Sequence, residues 1–355
     1  MFSLVFGIKA TARYFLCTKG LPFIAGRSDA GGRRGFKVSL VGSGGRVGQM
    51  LSLLLKKNPL IDQLHLHDMS ASPTALEKVL SDICTKTEAK CFVGPEQLVE
   101  SLTDANIVIF AVALPERPDT VDPIAGITSA VSLACPKALL AFVTQPINFV
   151  VPMAAEFLKA QNTYDPRRLF GVTTWHSLRI ETFVSDVFNI DPARVSVPVI
   201  GGFSVDTSVP LLTQCCSDLR EEKVDENSII EKMENSEYHG LAAKTLGNLS
   251  KANAGALFID SLLRGLNGEP DVIQCSFVGY EAPLCPFFAT QVILGREGIQ
   301  TNLGLPPLGS REEEALNRIV PVLLQNINDG VFMAKNTIDG DAKEANQEEE
   351  KTELN

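Results

Sequence analysis

Lys37-Val-Ser-Leu-Val41 runs directly into Gly42-Ser-Gly-Gly-Arg-Val-Gly48, and that into Gln49-Met-Leu-Ser-Leu-Leu-Leu-Lys-Lys57. The first run is short, apolar and rich in β-branched residues; the third is made of good helix formers. Together they read as strand, glycine turn, helix. Gly42 allows the tight turn, Gly45 the close approach of backbone to a diphosphate, and Gly48 the packing of helix on strand. The N–H groups of the helix N-terminus then face the phosphates. A second strand, 63–67, ends in Asp68. An acid about twenty residues past the turn binds ribose hydroxyls and repels a 2′-phosphate, which favours NAD over NADP. The glycine pattern alone is weak, and a glycine turn that binds nothing is the competing reading. The flanking strand and helix, with Asp68, make a dinucleotide site specific.

Outward from this unit, apolar runs at 107–112 and 139–143 predict further strands, with helices between. Alternation of this kind gives a doubly wound parallel α/β sheet. A helix at 148–160 leads into a second, α+β lobe. Helices are expected there near 174–189, 225–247 and 252–267, strands near 195–199, 271–280 and 285–294, and a last helix from Arg311 to Ala334. The dinucleotide-binding domain is thus placed at 37–180 and the second lobe at 181–338. The chain has 355 residues, 45% of them hydrophobic, enough for a large core in one two-lobed subunit.

Both ends fall outside this fold. Residues 1–36 carry Lys9, Arg13, Lys19, Arg27, Arg33 and Arg34 against one acid, Asp29, with Phe2, Leu4, Val5, Ile8, Tyr14, Phe15 and Leu16 interleaved. A basic, acid-poor, amphipathic leader reads as a mitochondrial transit peptide, hence the matrix. A secretory signal, a peripheral membrane anchor and an untargeted extension are the rivals; Lys9 interrupts the apolar run a secretory core needs. No stretch is long enough to span a bilayer. Residues 339–355 hold seven acids, two lysines and no aromatic residue, and read as a disordered, solvated tail.

The formal net charge of −10 argues against nucleic-acid binding through a broad basic surface. The eight cysteines show no C-x-x-C and no His/Cys cluster at metal spacing, so they read as reduced thiols, and no metal is expected. A redox role for the adjacent pair Cys215-Cys216 is the alternative.

Beyond the glycine turn, Ser52-Leu-Leu-Leu-Lys-Lys-Asn-Pro-Leu60, Gly94-Pro-Glu-Gln-Leu98, Phe170-Gly-Val-Thr-Thr174, Asp191-Pro-Ala-Arg-Val-Ser-Val-Pro-Val-Ile-Gly-Gly202, Gln274-Cys-Ser-Phe-Val278 and Leu294-Gly-Arg-Glu-Gly-Ile299 are similar to malate dehydrogenase of the mitochondrial type. They stand in that family's order from about residue 37 to 335. The resemblance implies a Rossmann-type domain followed by a lactate/malate-dehydrogenase-like second domain, with NAD as cofactor. It also implies a reaction in which hydride leaves C2 of malate for NAD while a histidine takes the hydroxyl proton. An aspartate orients that histidine, and three arginines hold the two carboxylates.

The chain departs from that pattern where the chemistry lies. The histidine position falls on Phe203, and a phenyl ring accepts no proton; general-base catalysis is typically worth ~10²–10⁴ in rate. The family's Asp-x-x-Arg becomes His176 and Arg179, which share one helix face. The mobile loop reads Pro115-Glu-Arg-Pro-Asp-Thr-Val-Asp122, so Glu116 and Asp122 fall on two substrate arginines. Two unit charges ~4 Å apart interact by ~4 kcal/mol at an effective dielectric of 20, so this change of sign should exclude a dicarboxylate. Asn-Pro-Val-Asn becomes Gln145-Pro-Ile-Asn148, with Gln145 and Asn148 expected at the cofactor.

Two readings of the residual groups stand. His176 is either a relocated base, oriented by Asp206 or Glu181, or a filler of the old aspartate site bonded to backbone. Trp175, the only tryptophan, either stacks on a ligand or belongs to the core. The whole reads as a malate-dehydrogenase-like subunit that keeps the nucleotide fold and has lost malate chemistry. The expected partners are a second copy, an active paralogue in a heterodimer, or a larger assembly. The alternative is an active NAD-dependent oxidoreductase for another 2-hydroxy acid, with Arg179 holding a single carboxylate.

Overall fold

The computed structural model of the chain describes residues 35–70, 72–114, 122–215, 241–280 and 285–353. The basic leader up to residue 34, Glu116 and Arg117, Cys216, and the 225–240 part of an expected helix lie outside the described residues.

Six parallel strands form the first sheet: β1 (Phe36–Val41), β2 (Ile61–Asp68), β3 (Glu88–Val93), β4 (Ile107–Phe110), β5 (Leu139–Phe142) and β6 (Leu169–Val172). Their spatial order is β3-β2-β1-β4-β5-β6. All four residues of β4 and of β5 are buried, as strands covered on both faces require. Helices α1 (Arg46–Lys56), α2 (Ser72–Ser81), α3 (Leu98–Leu102), α4 (Asp122–Ala134) and α5 (Ile147–Ala160) make the crossovers. The winding reverses between β1 and β4, so a crevice opens at the carboxyl ends of those two strands. Gly42 sits there with φ +90°, and a Cβ on it would lie 2.6 Å from the Ala111 carbonyl carbon. Only glycine turns the chain in that space.

The second lobe continues the same sheet. β9 (Val272–Gly279) pairs antiparallel with β6 and hands on to β10 (Phe287–Gly295), then β7 (Val199–Gly201) and β8 (Ser208–Pro210); β11 (Gly298–Asn302) pairs with β10. Its helices are α6 (Thr174–Phe188), α7 (Leu241–Asn267) and α8 (Ser310–Glu353). One core lies under α4, α5 and α8, around Phe110, Phe142, Phe277 and Phe288. The other lies where α1 and α7 cover the opposite face, with Leu51 and Leu55 among Phe258, Ile259 and Leu262. The α/β class, parallel sheet and α+β second lobe are those expected.

Beyond β3, β6, β8 and β11, which no expected strand covers, two elements differ from expectation. The break expected at 248–251 is absent, and α7 runs unbroken through it. The Ser250 hydroxyl donates to the Gly247 carbonyl at 2.9 Å and accepts the Trp175 indole N–H at 2.9 Å, so a turn-favouring residue is tied into the helix by tertiary contact. The acidic end, expected without regular structure, is corrected too: α8 stays helical through Glu353. Its Ala, Lys, Glu and Gln content lacks the apolar residues for a core but has high helix propensity.

Candidate functional site

The nucleotide cradle is built mostly from backbone. The His67 carbonyl at the end of β2 accepts the Gly42 N–H at 2.9 Å, the Ser43 N–H at 3.1 Å and the Ser43 hydroxyl at 3.1 Å. These bonds lock the turn to the second strand. Asp68 completes the lock, its Oδ2 accepting the Gly44 N–H at 2.8 Å and its Oδ1 the Ser70 N–H at 3.1 Å. Gly45 begins α1 with no side-chain cap, which leaves the first-turn N–H groups for a ligand. A Cβ on Gly48 would overlap the Gly42 carbonyl oxygen and lie 2.8 Å from the Ser43 Cα, so glycine is required for the helix to sit this close. These features fit a dinucleotide: diphosphate over Gly42–Gly48 and the α1 N-terminus, ribose hydroxyls on Asp68. The carboxylate keeps lone pairs beyond the bonds it already accepts.

The chemical half lies at the carboxyl ends of β5 and β6. A shallow depression opens there, lined by Val143, Gln145, Val172, Trp175, Phe203 and Lys251 among others. Phe203 is held by its backbone: its N–H donates to Asn148 Oδ1 at 2.8 Å, and Asn148 Nδ2 donates to Thr207 Oγ1 at 2.9 Å. The Phe203 ring meets the His176 ring edge-on at 4.7 Å and the Trp175 ring at 6.0 Å. His176 is 4% exposed, and its Nε2 lies 2.9 Å from the Phe203 carbonyl oxygen. That acceptor demands an N–H, which fixes the tautomer with Nε2 protonated. Burial pushes the imidazole pKa down to about 4 against the pull of the Phe203 carbonyl, and the charges of Arg179 and Lys251 push the same way. His176 is neutral at physiological pH.

The Trp175 ring carries two cations. The Arg179 Cζ stands 4.5 Å from its centroid and the Lys251 Nζ 5.3 Å, both within cation–π range. Lys251 Nζ also donates to Gln145 Oε1 at 3.2 Å.

The structure thus brings Gln145, Trp175, His176, Arg179 and Phe203 together and corrects the orientation expected for His176. Asn148 is 5% exposed with both ends of its amide bonded inside the protein, and it positions Phe203. Neither proposed acid orients His176: Glu181 accepts the Val197 N–H instead, and Asp206 makes no contact with His176. Asp122 is exposed in the first turn of α4, where a negative charge suits the helix N-terminus, and makes no hydrogen bond or ion pair among the described residues. Lys251 was not singled out from the sequence. Its signal was faint: one lysine in the small-residue run Ala252-Asn-Ala-Gly255 of a helix that packs against α1.

Residues 36–171 match the family described as lactate/malate dehydrogenase, NAD binding domain, and residues 173–333 match lactate/malate dehydrogenase, alpha/beta C-terminal domain. Mitochondrial malate dehydrogenase of Felis catus is 35% identical over 314 residues, covering 84% of this chain and 92% of that protein. The mitochondrial enzyme of Citrullus lanatus is 37% identical over 313 residues, covering 84% and 89%. Among solved structures, Cryptosporidium parvum malate dehydrogenase superimposes with a TM-score of 0.68 at 19% identity, over 83% of this chain and 98% of that one. Eimeria maxima lactate dehydrogenase with NADH and oxamate superimposes with 0.69 at 18% identity, over 87% and 97%.

Proposed function

The chain belongs to the lactate/malate dehydrogenase family, and from that premise we propose that it is an NAD(H)-binding member in which malate chemistry is disabled. The observation that carries this is the Phe203–His176 pair. Where the family resemblance calls for a base oriented by an aspartate, a phenyl ring stands edge-on to a neutral histidine. That histidine spends its N–H on the carbonyl of the very residue that replaced the base. Groups that act as a unit fail together, so loss of base and orienting acid removes most of the proton-transfer advantage. Conversion of the loop arginines to Glu116 and Asp122 removes the clamp for a second carboxylate.

The intact cradle supports retention of the cofactor, with Gly42, Gly45, Gly48 and Asp68 as its contacts and NAD preferred over NADP. The basic leader and the mitochondrial relatives support a matrix protein. A dimer, with itself or with an active paralogue, is part of the same reading, and native mass spectrometry of the isolated protein tests it. The functional test is a calorimetric titration of the full chain with NADH and NAD, followed by a malate and oxaloacetate assay on the same sample. Micromolar NADH binding without turnover is expected. Turnover near that of a working malate dehydrogenase refutes the reading, and no NADH binding refutes its cofactor half.

The second reading, an oxidoreductase for another 2-hydroxy acid, is favoured by one observation. Arg179 and Lys251 converge on the Trp175 ring beside an apolar wall. That arrangement is suited to a different anion.

A further inference from the structure

We infer that Lys251 makes this protein selective for the redox state of its dinucleotide: its ammonium stands at the nicotinamide end of the cradle, where it admits the neutral reduced ring and repels the cationic oxidised one. This rests on the reading of the chain as an NAD(H) binder and names the form of the cofactor it selects.

The cradle fixes where the two ends of the dinucleotide go. With the adenosine ribose on Asp68 at the end of β2 and the diphosphate over Gly42–Gly48, the second mononucleotide crosses the switch point to the carboxyl ends of β4, β5 and β6. The depression lined by Val143, Gln145, Val172, Trp175, Phe203 and Lys251 lies there, Val143 following β5 and Val172 ending β6. Its apolar wall suits a flat ring, and the Gln145 amide suits a carboxamide.

Lys251 brings the charge. It projects from α7, its Nζ 5.3 Å from the Trp175 centroid and 3.2 Å from Gln145 Oε1. Both partners are neutral, so they hold the ammonium without cancelling it. Among the described residues no carboxylate pairs with it, and His176 beside it is neutral and offers no counter-charge. The ammonium is also partly withdrawn from water: burial first, and then the Arg179 charge, hold its pKa below the ordinary lysine value.

The oxidised nicotinamide is a pyridinium, one unit more positive than the reduced ring. Two like unit charges ~8 Å apart, at an effective dielectric of 20, disfavour each other by about thirtyfold in affinity. The reduced ring meets no such penalty. A working dehydrogenase must hold the oxidised ring to take a hydride, and an ammonium without a counter-charge opposes that step. In a chain that only binds, the same charge is a discriminator. Occupancy then follows the reduced form even where the oxidised form is in several-fold excess.

Calorimetric titration of the full chain with NADH and, separately, with NAD at pH 7 reads the ratio of the two dissociation constants. Wild type should bind NADH about thirtyfold or more tighter than NAD. Lys251→Met should lower that ratio by about tenfold or more, through stronger NAD binding, and leave NADH within about threefold. Lys251→Arg keeps the charge and should keep the ratio. A gain of NAD affinity is a change that misfolding or lost packing does not produce. An unchanged ratio in Lys251→Met, with NADH bound by wild type, overturns the role of Lys251 and leaves the cofactor reading intact. Equal weakening of both forms marks a packing role and overturns it too. Absence of binding of either form by wild type removes the cofactor reading, and the selectivity with it.

Discussion

Acid should destabilise this protein through His176, by an amount the structure sets. The imidazole ionises near pH 6.5 when unfolded and near pH 4 when folded, because it is buried and flanked by Arg179 and Lys251. A lowered folded pKa means the unfolded chain holds the proton more tightly. The stabilising contribution is therefore whole above pH 6.5 and is lost as pH falls towards 4. A shift of roughly 2.5 units corresponds to about 3 kcal/mol in full, of which about 2 kcal/mol is already lost at pH 5. His176→Gln keeps an N–H donor for the Phe203 carbonyl and cannot titrate.

Urea unfolding of both proteins, followed by Trp175 fluorescence at pH 7.5 and pH 5, isolates the effect. Burial also lowers the pKa of His65, but that residue is common to both proteins and cancels. Wild type should lose about 2 kcal/mol more than the variant between the two pH values. Parallel losses, within about 0.5 kcal/mol, would show that His176 is charged or hydrated in the folded protein, and the neutral-filler account of the pocket would fall with it.

Phe203→His alone should leave malate oxidation at most about tenfold above the wild-type background in a steady-state NADH assay, because the orienting aspartate and the clamp are still missing. Full activity from that single change would show that Glu116 and Asp122 do not obstruct the site. Asp68→Ala removes the acceptor of the Gly44 N–H and the ribose contact together. NADH affinity should drop by about 10–100-fold, the usual worth of one hydrogen bond to a charged group, and discrimination against NADPH should shrink. Gly48→Val places a side chain on the Gly42 carbonyl; NADH binding and thermal stability should fall together, as calorimetry and circular dichroism would show.

How much of this was legible before the structure depended on whether the information is local. The turn Gly42–Gly48 and Asp68 were readable because strand, turn and acid are fixed by spacing along the chain. The strand Leu169–Val172 escaped because four buried residues show no period, and a short apolar run looks alike in strand and helix. The continuity of α7 was hidden because Asn248 and Ser250 are turn formers locally, and only the Trp175 bond recruits Ser250. The hold of Asn148 on Phe203 was hidden for a related reason. An asparagine beside a cofactor motif reads as a cofactor contact, and its partners Thr207 and Phe203 arrive from 55 or more positions away. Lys251 lies 72 residues from Arg179 and 106 from Gln145, a constellation no spacing rule could propose.

The split between an intact cradle and an altered pocket has a physical basis in which atoms build each half. The cradle is mostly backbone: carbonyl of His67, N–H of Gly42, Ser43 and Gly44, and the uncapped N-terminus of α1. Those groups are present whatever side chains surround them, provided the glycines keep the chain close. The same glycines hold α1 on the sheet, so losing them costs the fold as well as the cofactor. The chemical half is side chains alone, projected from α6, α7 and the segment after β7. Phe203 occupies its place through its own N–H bonded to Asn148, a bond independent of the side chain at 203. Exchange of a base for a phenyl ring therefore leaves the loop in place and even adds aromatic contacts to Trp175 and His176. Stability thus shields the nucleotide frame from change, while the side chains of the pocket can be exchanged at little cost to the fold.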